Sequence, residues 1–115
     1  MAEIRLRRIE SQLQRELAAM IQRGEIRDPR VVSLTTVTAV KISKDLGHAK
    51  VWVSRFGERR ELEEGVAALN HAAGFIQGVL ARRVPLRTFP KLAFVVDDSM
   101  ERGFRVVQKL RDIGH

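Results

Sequence analysis

The sequence predicts an α+β fold: one small three-stranded sheet with helices packed on one face. Three observations carry that prediction. Apolar residues recur every three or four positions over 3–22 and again from residue 58 onward, the period of a helix face. Two β-branched runs, 31–43 and 48–56, are separated only by Lys44-Asp45-Leu46-Gly47, a connection that allows an antiparallel pair and nothing else. A third strand, 91–97, follows a helical crossover, which makes the sheet mixed.

The first helix, 3–22, places Leu6, Ile9, Leu13, Leu17 and Met20 on one stripe. Arg5, Arg8, Gln12 and Arg15 recur on a neighbouring face, with Arg7 beside them. Two readings fit that face, a phosphate-facing stripe or an ordinary wet surface diluted by Glu3, Glu10 and Glu16. Gly24 ends the helix, and Pro29 disfavours helix at Asp28, so Asp28-Pro29-Arg30 reads as a turn. In the first strand, 31–43, the apolar parity slips between Val37 and Val40/Ile42, which predicts a bulge. In the second, Ala49, Val51 and Val53 point one way, and Lys50, Trp52, Ser54 and Phe56 the other.

From Glu58 the stripe Leu62, Val66, Leu69, Ala73, Ile76, Leu80 runs through a glycine-containing stretch, NHAAGFIQG at 70–78, without losing phase. A loop between helices would reset that phase, so two helices joined by a tight kink at Ala72-Ala73-Gly74 are predicted. Gly74 and Gly78 each cost a helix about 1 kcal/mol relative to alanine. They serve either close helix packing or the approach of a phosphate backbone. Pro85 bounds the second helix of the pair, and VPLRTFPK (84–91) is an irregular connection. After the third strand, Asp97-Asp98-Ser99 reads as a helix start, with Ser99 as N-cap of an amphipathic helix to about Ile113.

A chain of 115 residues with 44% apolar content is expected to form one domain with its own core. It has no cysteine, hence no disulfide and no thiolate metal site, which fits a reducing cytoplasm. Neither a targeting signal nor an apolar run long enough to span a membrane is evident. Lys plus Arg is 21 against 14 for Asp plus Glu, a formal net charge of +7 carried mostly by arginine. Arginine forks match phosphate oxygens, so the expected partner is a polyanion, nucleic acid first.

Catalytic chemistry finds little footing. His48, His71 and His115 are scattered, and no phosphate-binding or metal-ligating motif occurs. Asp97 and Asp98 face opposite sides of a strand and suit capping better than acid/base work. The expectation is a non-enzyme without cofactor or metal. Basic residues cluster after the helix pair (Arg82, Arg83, Arg87, Lys91), on the hairpin (Lys41, Lys44, Lys50, Arg55) and at Arg59-Arg60. A kinked helix pair beside a basic hairpin is similar to a KH-type backbone clamp, although no Gly-x-x-Gly loop is present. Trp52 and Phe56 beside Lys50 form either a small stacking platform or a half-buried core face.

The ordered set of Asp28-Pro29-Arg30, VTAVKISKDLGHAKVWVS (37–54), Ala72-Ala73-Gly74, RRVPLRTFPKLAF (82–94) and Asp97-Asp98-Ser99, behind an Arg-rich first helix, resembles the ribosome-binding factor A family, bacterial assembly factors of the small ribosomal subunit. The resemblance implies a single KH-like (type II) domain of order α-β-β-α-kink-α-β-α. Residues 1–98 would form the RNA-binding part, with a C-terminal helix over 99–115 packed on it. An Ala-x-Gly kink takes the place of the GxxG loop, which puts Ala72, Ala73 and Gly74 in the RNA-facing region. The resemblance further implies binding to the immature small subunit and its rRNA, maturation of the rRNA 5′ end, a link to growth in the cold and displacement before translation starts. The expected partners are the small-subunit rRNA and precursor particles, with ribosomal proteins and an assembly GTPase as further ones, and the protein is expected to act as a cytoplasmic monomer. Charge and placement add Arg82, Arg83, Arg87, Lys91, Lys41, Lys44, Arg5 and Arg8 to the RNA-binding set. The competing readings are a general KH-like single-strand RNA binder, a basic protein–protein adaptor and a helix-turn-helix DNA binder.

Overall fold

Helix α1 (Ala2–Gln22) turns the predicted stripe to the core, with Leu13, Leu17 and Met20 fully shielded and Leu6 and Ile9 half-buried. This computed structural model describes residues 2–99. The helix stops at Gly24, which takes a φ of +69°. Gly24 and Glu25 donate their N–H groups to the carbonyls of Ile21 and Met20 at 3.1 and 3.0 Å, the crossed pair of a Schellman end.

Strands β1 (Thr36–Ile42) and β2 (His48–Ser54) form the antiparallel hairpin. The expected bulge is there: the register runs from Val37↔Val53 to Ala39↔Trp52 and skips Thr38. The Thr38 hydroxyl donates to Asp97 Oδ2 at 2.5 Å. At the connecting turn Asp45 Oδ1 accepts the Gly47 N–H at 2.9 Å and the Ser43 hydroxyl at 2.7 Å.

Both strands are shorter than their β-branched runs predict. Residues 31–35 turn instead, with Val31 donating to the Asp28 carbonyl and Thr35 to that of Val32, both at 2.9 Å. A β-branched run becomes a strand only where a partner extends alongside it, and β2 leaves the sheet after Ser54. Gly57, at a φ of +121°, redirects the chain, and Phe56 is left exposed outside the sheet instead of sharing a strand face with Trp52. Ser54, at the strand's end, is buried, unlike Lys50 of its expected face.

Strand β3 (Lys91–Val96) joins β2 in parallel, so the sheet is mixed and ordered β1-β2-β3. Ala49, Val51, Val53, Leu92 and Phe94 form its buried face. They pack with the α1 stripe and with Leu62, Val66, Leu69, Ile76 and Leu80 of the helix pair. The opposite face carries exposed Lys41, Lys50 and Lys91, so the helices lie in one layer.

Helix α2 (Arg59–His71) and helix α3 (Ala73–Arg83) are joined by Ala72 alone, at φ −89° and ψ 4°. Ala72 donates to the Ala68 carbonyl and accepts from the Ile76 N–H, both at 3.0 Å. The hydrogen-bond ladder therefore passes through the joint, which is why the apolar phase survives it.

Side chains from the helices cap both sheet edges. On β1, Glu10 Oε2 accepts the Ile42 N–H at 2.7 Å and Gln14 Nε2 donates to the Val37 carbonyl at 3.0 Å. On β3, Gln77 Oε1 accepts the Leu92 N–H at 3.1 Å, and Asn70 bonds both backbone groups of Phe94. The helix expected from Met100 to Ile113 lies outside the described residues. At its threshold it is Asp97 whose Oδ1 accepts the Ser99 N–H, at 2.9 Å. Among the described residues no helix is long and apolar enough to cross a membrane.

Candidate nucleic-acid interface

The two readings of Gly74 and Gly78 part here. A Cβ added at either glycine would meet nothing within 4 Å, so neither serves packing within the described fold. The glycine that does is Gly65, whose Cβ would lie 3.1 Å from the Arg30 carbonyl. Gly74 and Gly78 instead leave a bare strip on the outer face of α3.

Helical spacing sets Phe75, Gly78 and Arg82 at i, i+3 and i+7 on one ridge beside that strip. Phe75 is 56% exposed, a large aromatic face offered to solvent. Arg82 Nε donates to the Gly78 carbonyl at 3.3 Å, which lays its guanidinium along the ridge. Among the described residues Arg82 forms no ion pair with a carboxylate. An aromatic ring, a gap without side chains and an unneutralised guanidinium in sequence can stack a base, admit a sugar–phosphate backbone and bind a phosphate.

Behind the ridge lies a cleft of about 770 Å³ between the kink and the segment after α1, lined among others by Arg23, Arg27, His71 and Phe75. Arg83 closes one side of it. Its two terminal nitrogens donate to both Glu25 oxygens, at 2.9 and 2.6 Å, a bidentate fork that ties α3 to the end of α1. The Arg83 hydrogen bond holds the Glu25 carboxyl below its ordinary range, and the Arg83 guanidinium is raised in turn. Asp28 is also drawn down, to about 2, by hydrogen bonds from the Arg30 side chain and N–H.

The structure sorts the cations that sequence left equivalent. Arg55, Arg59 and Arg60 pair with Glu61, Glu63 and Glu64, and Arg59 also reaches Asp98. Of the residues chosen for RNA contact, Ala72 and Ala73 are half-buried at the joint, Gly74 is exposed, Arg82 lies on the ridge and Arg83 is in the fork. Arg87 and Lys91 are exposed further along the chain. Lys41 and Lys44 line a groove of about 490 Å³ between the hairpin and Arg7 of α1. Arg8 lines another on α1 with Arg7 and Arg15, and Arg5 is exposed outside both grooves. The chosen residues thus fall into a kink group and a hairpin–α1 group. Sequence reasoning missed Phe75, Arg23, Arg27 and the anchors Asn70 and Gln77. Phe75 alone left a signal, being an aromatic out of phase with the core stripe.

Comparison with known proteins finds relatives of the whole fold. The family model for ribosome-binding factor A matches residues 5–110. The ribosome-binding factor A of Treponema denticola is 41% identical over 113 residues, 98% of this chain and 86% of that protein. The crystal structure of ribosome-binding factor A from Thermus thermophilus superposes with a TM-score of 0.68 at 41% identity, over 79% of this chain and 94% of that one. A homology model of the Thermus thermophilus factor fitted into a cryo-electron-microscopy map of its 30S complex gives a TM-score of 0.65 at 40% identity, over 79% and 93% of the two chains.

Proposed function

Because the chain belongs to the ribosome-binding factor A family, we propose that it binds the small ribosomal subunit through rRNA and acts there as a non-catalytic assembly factor. The observation that carries this reading is the open ridge of α3, where Phe75, Gly78 and Arg82 face solvent and no part of the described chain covers the glycines. A net charge of +7 supplies the long-range attraction to a polyanion, and the related Thermus factor was fitted in a 30S complex.

In this mechanism arginines dock on phosphates and the bare strip lets one strand approach the helix backbone. Bound in that way, the protein favours one rRNA conformation over others and shifts the folding population of the particle toward it. Residues 1–98 form the RNA-binding domain. The finer consequence is late maturation of the subunit, including processing of the rRNA 5′ end.

Gradient sedimentation of extract tests the reading. The protein is expected with free small subunits and their precursors, not with polysomes, and its binding should fall linearly on a log–log scale with salt. Cells without the protein should accumulate small-subunit rRNA with an unprocessed 5′ end. Protein that stays at the top of the gradient at low salt overturns the reading.

A further inference from the structure

The outer face of the sheet carries an ordered pattern that the kink does not explain. Strand register aligns Ala39, Trp52 and Val95 in one row across β1, β2 and β3. The next row on the same face puts Lys41 directly opposite Lys50, and Lys91 lies one row further on β3. Rows on one face are about 6.7 Å apart, because alternate residues share a face. An aromatic, apolar row therefore gives way to a cationic one within roughly the reach of one nucleotide.

Two like charges directly opposite on a sheet repel. No carboxylate pairs with Lys41, Lys50 or Lys91 among the described residues. Lys50 Nζ instead sits 5.0 Å from the centre of the Trp52 ring, whose face attracts it, while Glu3 and Glu10 line the same groove as Lys41 and Lys50 without pairing with them. A partner chain is not drawn here by edge pairing, since helix side chains already occupy groups on both sheet edges.

We propose that this face is a second binding surface, for a single-stranded stretch of RNA, with one base stacked on Trp52 and adjoining phosphates on Lys41, Lys50 and Lys91. The proposal rests on the RNA-binding reading above and extends it from the kink to the opposite layer of the fold. A base settling on Trp52 displaces the Lys50 ammonium from the ring and leaves it beside the phosphate. An acidic protein would satisfy the lysines but has no need of the flat ring. A duplex would satisfy them too, but its bases are not free to stack.

Trp52 is the single tryptophan of the chain, so its fluorescence reports on this face alone. Titration of the full chain with a single-stranded RNA octamer is expected to quench that emission saturably, and polyglutamate at equal charge is expected to leave it unchanged. Lys41→Glu/Lys50→Glu should weaken the quench by at least about tenfold, in line with the loss of phosphate contacts, with an unaltered melting curve. Arg82→Glu should preserve it. Absence of quenching by a protein that still sediments with small subunits overturns the sheet surface and leaves the subunit reading standing. Equal quenching by polyglutamate overturns it in favour of an acidic protein partner. A blue-shifted emission insensitive to acrylamide in the free chain overturns it by showing the face already covered.

Discussion

Asn70 and Phe94 exchange two hydrogen bonds of 2.8 Å, the side-chain amide of one pairing with the backbone N–H and C=O of the other. The amide behaves as a further residue of strand on the edge of β3. Gln77 takes the Leu92 N–H two residues along. These anchors stand on either side of the joint at Ala72, so the angle between α2 and α3 is set by the sheet. Truncation at residue 70 leaves both Phe94 groups without a protein partner. Asn70→Ala is therefore expected to cost about 1–3 kcal/mol, read as a lower urea midpoint at unchanged slope. Asn70→Asp keeps the acceptor but turns a carboxylate on the Phe94 carbonyl, and should be no better than alanine.

The glycines of the helix pair should respond with opposite signs. Among the described residues nothing lies within 4 Å of a Cβ placed at Gly74 or Gly78. Gly78→Ala is expected to stabilise the fold by about 1 kcal/mol through helix propensity, a rise of roughly 5 °C in Tm. Gly78→Gln should also fold well yet lose small-subunit binding by tenfold or more, because its side chain stands where the strand must approach. Gly65→Ala places a methyl 3.1 Å from the Arg30 carbonyl. That carbonyl belongs to a turn pinned by the Asp28–Arg30 ion pair, so the change should destabilise by about 1 kcal/mol from overpacking. Thermal melts and co-sedimentation read all three.

Much of the fold was legible because it rests on local periodicity. The α1 stripe, the bulge at Thr38, the hairpin turn and the continuous phase across the joint all follow from which residues are apolar and how far apart they lie. The strand lengths did not follow. Val31 to Thr35 have strand propensity but no strand partner among the described residues, and pairing is a property of two segments. The site was legible only as a list of cations. Charge counts cannot tell Arg82 from Arg83, or Arg60 from Arg87, since neutralisation depends on carboxylates brought near by folding. Glu25 is 58 residues from Arg83 and meets it through the packing of α1 and α3. Asn70 and Gln77 read as ordinary polar helix residues until β3 is placed beside them.

The two neighbouring arginines should separate by charge reversal. Arg82→Glu changes a guanidinium that forms no ion pair among the described residues, so subunit binding should fall by at least tenfold while the melting curve stays the same. Arg83→Glu sets two carboxylates against each other at the end of α1 and should lower stability as well as binding. Restoring the pair with opposite polarity, as Glu25→Arg/Arg83→Glu, should recover the melting temperature. If binding returns as well, Arg83 acts by holding the cleft together; if only stability returns, it contacts RNA itself. A double-mutant cycle on melting and co-sedimentation measures both.

Acid should probe the same loop with a defined sign. Asp28 in the folded protein titrates at about 2, against an ordinary value of 3.8, because Arg30 donates to it from its side chain and its backbone. A carboxyl lowered in the folded state stabilises that state fully above its unfolded value, and the contribution disappears as pH falls through the folded one. Glu25 is lowered as well, by Arg83, so it acts in the same direction. Both groups lie at the surface, and salt reduces the effect. Wild-type protein should therefore lose stability between about pH 4 and pH 2. Arg30→Ala should be less stable than wild type above about pH 4, and the difference should shrink toward zero near pH 2. Urea midpoints across that range, with the Asp28 carboxyl followed by NMR, give the check. In Arg30→Ala the Asp28 midpoint should move back toward 3.8, and a gap between the two proteins that widens on acidification would reverse the sign derived from the Asp28–Arg30 contacts.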